Sequence, residues 1–162
     1  LEDLSEHYGF PLTKVLMKDE LKSLKPPKNG NHIINLQSST QGNGSHWVAL
    51  AIRGKQSFYQ DSFGVLMPQE VISFCKKINK SHLGYNDFGF QHIKAETCGF
   101  FAVGLLIHIQ NHPNMDLYDA SFDYMKMFSY DTIKNNAILK AYFRSLPKSK
   151  GFKLLDKLYS EK

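Results

Sequence analysis

The sequence predicts an α+β fold, in which a small, mostly antiparallel sheet packs on one central helix with further helices at its flanks. Three observations lead to this prediction. Strand-like runs are concentrated before residue 61, whereas helical patterns dominate after residue 97. The segment from Cys98 to Gln110 is almost wholly apolar, as expected of a buried helix. Between two strand-like runs, Arg53-Gly54-Lys55-Gln56 has the composition of a tight turn, which indicates an antiparallel hairpin.

Size and composition are those of one globular domain spanning residues 1–162. Hydrophobic residues make up 42% of the chain and charged residues 22%, so a sizeable core is expected rather than disorder. No apolar run has membrane-spanning length, and we expect no membrane association. The first residues are not a signal peptide, and because they lack a Met the chain is interpreted as trimmed or as part of a larger polypeptide.

The first half of the chain is predicted to contain a helical region followed by three strands. Residues 4–24 are expected to form one or two short helices, interrupted at Gly9-Phe10-Pro11. A polar loop, 38–45, separates the first two strands. Runs of β-branched and apolar residues place the strands at residues 32–36, 47–52 and 57–60.

The second half is predicted to be mainly helical. Pro68 suits a first helical turn, and the apolar residues that follow it recur on one face up to residue 79. A single strand is expected at residues 88–93. The remaining helices are predicted at residues 98–110, 115–127 and 131–146.

Positive charge is concentrated at the C-terminal end. The net charge of the chain is +5, but residues 134–162 hold eight basic and two acidic residues, a net +6. A basic helical segment of this kind could contact phosphates, so nucleic acid is a candidate partner. The alternative is a solvated, charged tail without a ligand.

Two cysteines, Cys75 and Cys98, do not make a disulfide framework, and no CxxC or Cys/His cluster suggests zinc. We therefore expect no metal and a reducing, intracellular setting. Cys75 falls on the apolar face of a predicted helix and is interpreted as a core residue. Cys98 lies where a polar loop meets the apolar helix. The helix dipole and unpaired N–H groups there favour a thiolate.

Three further side chains complete a candidate cysteine-hydrolase site with Cys98. His46 can take the thiol proton, Asp61 can orient the imidazole, and the Gln91 amide can donate to a developing oxyanion. Gly99 would let a substrate backbone approach the thiol. If the two strands pair around the turn so that 52 faces 57, then 48 faces 61, and His46 comes within reach of Asp61.

The sequence also allows non-catalytic interpretations of these residues, and other candidates for the base and the acid. An isolated Cys flanked by apolar residues is more often a core filler. His92 is a rival base and Asp87 a rival acid, and Ser62 is a plausible supporting hydroxyl. The other histidines, His108 and His112 among them, are interpreted as structural or surface groups.

The motifs that contain these residues are similar to those of a known protein family. They are Gly44-Ser45-His46-Trp47-Val48-Ala49-Leu50, Tyr59-Gln60-Asp61-Ser62-Phe63-Gly64, Gln91, and Cys98-Gly99-Phe100-Phe101. In this order they resemble the adenovirus-type maturation proteases (adenain) and the SUMO-specific proteases, whose His-first order is opposite to that of papain. The motifs span residues 44–106, a little over a third of the chain.

The resemblance implies a thiol peptidase with the adenain/SUMO-protease-like fold. In it His46 is the general base, Asp61 the orienting acid, Gln91 the oxyanion-hole residue and Cys98 the nucleophile. Trp47 matches the residue that narrows the substrate groove, so small residues, often Gly, are expected beside the scissile bond. The acid is Asp, as in SUMO proteases, whereas adenain has Glu.

Chain length and motif spacing favour the viral branch. Large DNA viruses, virophages and Polinton-type elements have such proteases, which cleave capsid or other structural precursors. The resemblance therefore implies a monomeric enzyme with no cofactor beyond an activating peptide or DNA, found in the host cytoplasm or nucleus and in the virion. A deSUMOylase or deubiquitinase-like isopeptidase, an acetyltransferase with the same triad, and a non-catalytic domain that binds polyanions or capsid are the alternatives.

Overall fold

The described residues form a five-stranded sheet with helices on both faces. The computed structural model describes residue 1 and residues 12–42, 45–78 and 83–146. The strands are β1 (Lys14–Met17), β2 (Asn29–Asn35), β3 (Trp47–Arg53), β4 (Gln56–Gln60) and β5 (Leu83–Tyr85). The α-helices are α1 (Gln69–Ile78), α2 (Cys98–Asn111), α3 (Leu117–Met125) and α4 (Asn135–Ser145), and 3₁₀ helices span Lys18–Ser23 and Thr132–Lys134.

The sheet is mixed, and the prediction of a mostly antiparallel sheet is corrected in this respect. The strands follow one another in the order β1 to β5. The central pairs β2–β3 and β3–β4 are antiparallel, but each edge pair, β1–β2 and β4–β5, is parallel. A parallel neighbour requires a crossover connection. The first 3₁₀ helix supplies the crossover at one edge, and α1 supplies it at the other.

The hairpin between β3 and β4 has the register that the sequence predicted. Ile52 pairs with Ser57 and Ala49 with Gln60 across a turn in which Gly54 has a φ of 59°. Glycine adopts this left-handed conformation without steric cost, so it suits the tight turn. The hairpin brings the start of β3 and the end of β4 to the same edge of the sheet.

Strand alternation divides the interior into two cores. Ala49, Ala51 and Phe58 face one side, where they pack with α2, α3 and α4. Alternate residues of the same strands, Leu50 and Tyr59 among them, face the other side, where the first 3₁₀ helix and α1 cover them. The small side chains of β3 let α2 lie close against the centre of the sheet.

The central helix α2 is apolar around its whole circumference because protein surrounds it. Eleven of its residues are buried, from Cys98 to Ile109. The expectation of a buried central helix that begins at Cys98 is therefore confirmed. Within the part of the chain that the structure describes, no helix is both long enough and apolar enough to span a bilayer.

Two element predictions are wrong. The sequence predicts one or two short helices over residues 4–24, but the described part of this region forms β1 and a 3₁₀ helix, and residues 2–11 lie outside the described residues. The strand expected at 88–93 does not form. The N–H groups of Phe90 and Gln91 both donate to the Ser62 carbonyl instead of to a neighbouring strand.

The C-terminal basic segment, 134–162, lies largely outside the described residues, which end at 146. Its described beginning is helical in α4. The proposed phosphate-binding face of this segment therefore stays a prediction.

Candidate active site

The ends of three elements meet at one edge of the sheet. His46 immediately precedes β3, Asp61 immediately follows β4, and Cys98 is the first residue of α2. The β3–β4 pairing places the first two together, and the packing of α2 against β3 brings the third. His46, Asp61 and Cys98, which are 52 residues apart at most in the sequence, thus form one cluster.

The His46 imidazole is fixed by a buried carboxylate. Its Nε2 lies 2.7 Å from Oδ1 of Asp61, which is fully buried. The Phe63 ring stacks on the imidazole at a centroid distance of 4.6 Å, and the Phe63 N–H donates to the same Oδ1 at 2.8 Å. Ring tilt and rotation are therefore both restricted.

Asn86 holds the backbone of Asp61 from both sides. The Asp61 N–H donates to Asn86 Oδ1 at 2.9 Å, and Asn86 Nδ2 donates back to the Asp61 carbonyl at 2.6 Å. The same Nδ2 also donates to the Phe88 carbonyl at 3.0 Å. Asn86 is a positioning residue that the sequence analysis missed, because a single Asn after a short strand has no distinguishing pattern.

The second imidazole nitrogen is available to the thiol. Among the described residues, buried Nδ1 of His46 makes no standard hydrogen bond. The imidazole and the Cys98 thiol lie close enough for an interaction that shifts the pKa of both groups. In enzymes without a bound substrate, such catalytic hydrogen bonds are often long or poorly aligned.

The pKa shifts favour charge separation between Cys98 and His46. Burial alone would lower the pKa of His46, but its hydrogen bonds with Asp61 and Cys98 raise it to about 9. Burial alone would raise the pKa of Cys98. The His46 side chain, the N–H groups of Trp47 and Gly99, and the imidazolium charge together lower it below its ordinary value. Both shifts therefore act in the direction of a thiolate–imidazolium pair.

Gln91 is held in a defined orientation beside the Asp61 loop. Its Oε1 accepts a hydrogen bond from the buried Ser62 hydroxyl, and its Nε2 donates to the Ala95 carbonyl at 2.6 Å. One Nε2 hydrogen is left for another acceptor. Ser62, which the sequence suggested as a supporting hydroxyl, thus decides which end of the amide is free to donate.

Among the described residues, no side chain caps the helix N-terminus beside Cys98. Thr97 occupies the N-cap position, but its buried hydroxyl makes no hydrogen bond within the described part of the chain. Gly99 is buried, and an added Cβ would lie 2.9 Å from a Leu1 methyl carbon. Trp47 is partly buried against the α2 side of the sheet. The substrate-binding roles of Trp47 and Gly99 stay predictions.

The rival residues are not placed for the same chemistry. His92 accepts a hydrogen bond from the Lys94 N–H at 3.3 Å, and Asp87 is exposed to solvent, so Asp61 is the carboxylate that contacts His46. Cys75 is buried in the second core, and burial raises its pKa to about 11, although a hydrogen bond with Ser57 lowers it slightly. The interpretation of Cys75 as a core residue is confirmed.

The fold is similar to that of a protease of known structure, in agreement with the protease fold that the sequence resemblance implied. The neighbour that supports this is the ASFV pS273R protease, whose crystal structure matches at a TM-score of 0.52 and 13% identity. The match covers 83% of this chain and 59% of that protease. This chain therefore spans little more than half of the length of that protease.

A selenomethionine form of the same protease matches at a TM-score of 0.47 and 19% identity, over 78% of this chain and 46% of the other. No family model and no curated protein sequence matches this chain. The similarity is therefore one of fold, and the roles of individual residues depend on the geometry described above.

Proposed function

We propose that this protein is a cysteine endopeptidase in which Cys98 is the nucleophile. One observation carries the proposal. His46 is bound through Nε2 to the buried Asp61 while its Nδ1 is left for the thiol of Cys98, at the beginning of a buried helix. This is the nucleophile–base–orienting-acid arrangement that thiol hydrolases require.

Peptide cleavage follows from these positions in two steps. The Cys98 thiolate attacks the scissile carbonyl, and the imidazolium of His46 transfers its Nδ1 proton to the departing amine. Water then attacks the thioester, with His46 as the general base. In both steps the oxyanion receives hydrogen bonds from the Cys98 backbone N–H and from the Gln91 amide.

We further propose a viral maturation role. The fold shared with the ASFV pS273R protease and the order His46, Asp61, Gln91, Cys98 support it. The substrates would be capsid or other structural precursors cut at Gly-containing sites, since Trp47 would narrow the groove beside Cys98. The enzyme would act as a monomer in the host cytoplasm or nucleus and in the virion, without a cofactor or membrane contact. The basic segment 134–162 would contact nucleic acid, and DNA or a peptide would be the activator.

The alternatives differ in reaction or in substrate. An isopeptidase would cleave ubiquitin-like conjugates, and an acetyltransferase would form an acetyl thioester on Cys98 from acetyl-CoA, with release of the CoA thiol. A binding domain without catalysis needs no ionised thiol, so iodoacetamide at pH 6 separates it from the enzymes. The lowered pKa of Cys98 favours the enzymes.

The decisive experiment digests candidate capsid precursors and reads the cleavage sites by mass spectrometry. We expect Cys98→Ser to abolish cleavage while the fold is retained. Cys75→Ala is the matched control, because it removes the other thiol from the second core and should leave cleavage intact. Turnover by the Cys98→Ser protein would contradict the proposal.

A further inference from the structure

A second cluster of chemically capable side chains lies at the other end of α2. His108 lies in the last turn of that helix, His112 is the residue that follows its end, and Asp123 reaches them from α3. One ligand atom from each of the three lies within 4.8 Å of the other two. We propose that His108, His112 and Asp123 bind a divalent transition-metal ion of the Zn²⁺ type.

The donor set suits such an ion. Two imidazole nitrogens and one carboxylate oxygen are common zinc ligands, with a water molecule at the fourth position. Although His112 lies just beyond the helix, its hydrogen bond with the His108 carbonyl holds its ring beside that of His108, so one ion can bind both. His108 Nε2 and Asp123 Oδ2 are already 2.8 Å apart, and the two imidazole centroids are separated by 4.1 Å. Small side-chain rotations would therefore converge the three atoms on one ion.

Outer hydrogen bonds already select the nitrogens that a metal needs. His112 Nδ1 lies 2.7 Å from the His108 carbonyl, which can only accept, so Nδ1 carries the hydrogen and Nε2 has the lone pair. His108 Nδ1 lies 3.2 Å from the Tyr142 hydroxyl. With its Nδ1 hydrogen donated to Tyr142, His108 would also present Nε2 to the ion. Metal-bound histidines are commonly oriented in this way.

A weakly held cation already occupies the vicinity of the carboxylate. Lys126 Nζ lies 2.7 Å from Asp123 Oδ1, although 73% of the Lys126 side chain is exposed. Ion pairs this exposed contribute little to stability, so a divalent ion can displace the ammonium group at small cost. The Asp123 side chain is 29% exposed, which gives the ion a route from solvent.

The proposed site is separate from the catalytic cluster. Cys98 and His108 are ten residues apart on the helix, which corresponds to about 15 Å. A bound ion would join α2 to α3 and thereby stabilise the helix that begins at Cys98. The sequence contains one signal for this site, the His-x-x-x-His spacing, but Asp123 is brought to it only by the packing of α3.

Zinc binding to the full chain tests the site. The Cys98→Ser protein, stripped with a chelator, removes the competing thiolate. Calorimetric titration with Zn²⁺ should then give one ion per chain, and Co²⁺ should give the absorption spectrum of a tetrahedral site. We also expect the unfolding temperature to rise with Zn²⁺ concentration, because the ion binds the folded state.

Variants assign the ion to its ligands. In the same background, His112→Gln and Asp123→Asn should each weaken Zn²⁺ binding by at least the about 10- to 100-fold that is typical of losing an outer-shell partner of a metal ligand. Lys126→Ala should strengthen it, because the competing ammonium group is lost. His92→Gln removes an imidazole elsewhere and should have no effect.

Circular dichroism establishes that each variant is folded. Failure of Zn²⁺ to bind the parent, or equal affinity in the folded His112→Gln and Asp123→Asn proteins, would overturn the proposal. Neither result affects the proposed peptidase activity, which depends on Cys98 and not on this cluster.

Discussion

At the level of single residues, the His46 imidazole connects two groups with different requirements. Asp61 fixes its orientation and favours its protonated form, whereas catalysis requires the imidazole to take the proton of Cys98 and give it to the departing amine. Full burial of Asp61 makes this interaction strong, since little water screens the carboxylate. The pH dependence of the enzyme should therefore report on this pair.

We expect activity to fall as the pH rises through about 9, because His46 then loses the proton that the leaving amine needs. Asp61→Asn removes the carboxylate that raises the pKa of His46. This descending limb should consequently move to lower pH, and kcat/KM should fall by about 10²- to 10⁴-fold. Stopped assays of peptide cleavage from about pH 5 to about pH 10, which includes the ordinary pKa of a histidine, measure both effects.

The matched control for that profile is Asp87→Asn, which neutralises the rival acid. Asp87 is exposed, so its replacement should leave the pH profile unchanged. A shifted profile in Asp87→Asn together with an unshifted one in Asp61→Asn would exchange the roles of the two carboxylates.

A second prediction concerns the orientation of the Gln91 amide. Ser62→Ala removes the hydroxyl that holds Oε1 and leaves a buried carbonyl oxygen without this partner. The amide can then turn its oxygen toward the oxyanion. We expect kcat to fall while KM changes little. The fall in kcat should not exceed about 10²- to 10³-fold, which is typical of losing one oxyanion-hole donor.

Comparison with Gln91→Ala distinguishes this role from a general loss of stability. If Ser62 acts through Gln91, the Ser62→Ala/Gln91→Ala protein should be no slower than Gln91→Ala alone. Additive losses in the double variant would show that the Ser62 hydroxyl acts independently of the amide.

At the level of elements, the close approach of α2 and α3 depends on a glycine. A Cβ added to Gly104 would lie 2.4 Å from the Tyr124 hydroxyl oxygen, which donates to the Phe101 carbonyl at 2.9 Å. Tyr124 is completely buried, so its ring has little room to move. The small residue thus permits a hydrogen bond between the two helices inside the core.

Gly104→Ala should therefore destabilise the protein, although alanine favours helix formation more than glycine does. Overpacking of this kind costs about 1–3 kcal/mol in the free energy of unfolding. Tyr124→Phe removes the obstructing oxygen, so the double variant should lose less than the sum of the single losses. Urea unfolding of the four proteins measures this coupling, and strictly additive losses would contradict the proposed steric cause.

The sequence predicted those elements whose pattern is local. The turn at Gly54 determines the register of its hairpin, and that register places His46 beside Asp61. The apolar run after Cys98 likewise determines a buried helix. These predictions succeed because turn geometry and hydrophobic burial act over a few neighbouring residues.

Other features depend on distant partners and were not predictable in the same way. The direction of the edge strands β1 and β5 is set by crossovers, and the run at 88–93 is held by Ser62 and by Asn135, whose Nδ2 donates to the Phe90 carbonyl at 2.7 Å. Asn86 belongs to the same class, because its function as a clamp exists only after Asp61 has been placed beside it.

At the level of the whole molecule, two histidines should give stability opposite dependences on pH. His32 is a residue of β2, the strand that lies between β1 and β3 in the sheet. Its side chain is fully buried, and its ring packs edge-on against Phe74. Burial, with a smaller contribution from the Lys14 charge, lowers the pKa of His32 from 6.5 to about 4. His46 is shifted the other way, from 6.5 to about 9.

The signs follow from which state binds the proton more tightly. Between pH 6.5 and about 4 the unfolded chain protonates His32 and the folded protein does not, so stability falls as the pH falls. His46 stabilises the fold below pH 6.5, and this contribution is lost as the pH rises toward about 9. Together these two groups favour maximal stability near neutral pH.

His32→Leu should remove the acid-side loss that His32 causes, since leucine has no proton to bind. At about 1.4 kcal/mol per pKa unit, the difference from the parent between neutral pH and pH 4 is at most about 3 kcal/mol. His46→Gln is the complementary control, because it should flatten the alkaline side and leave the acid side unchanged. Urea unfolding at a series of pH values measures both. An acid-side slope that is identical in His32→Leu and the parent would show that the folded protein accepts a proton on this buried imidazole as readily as the unfolded chain does.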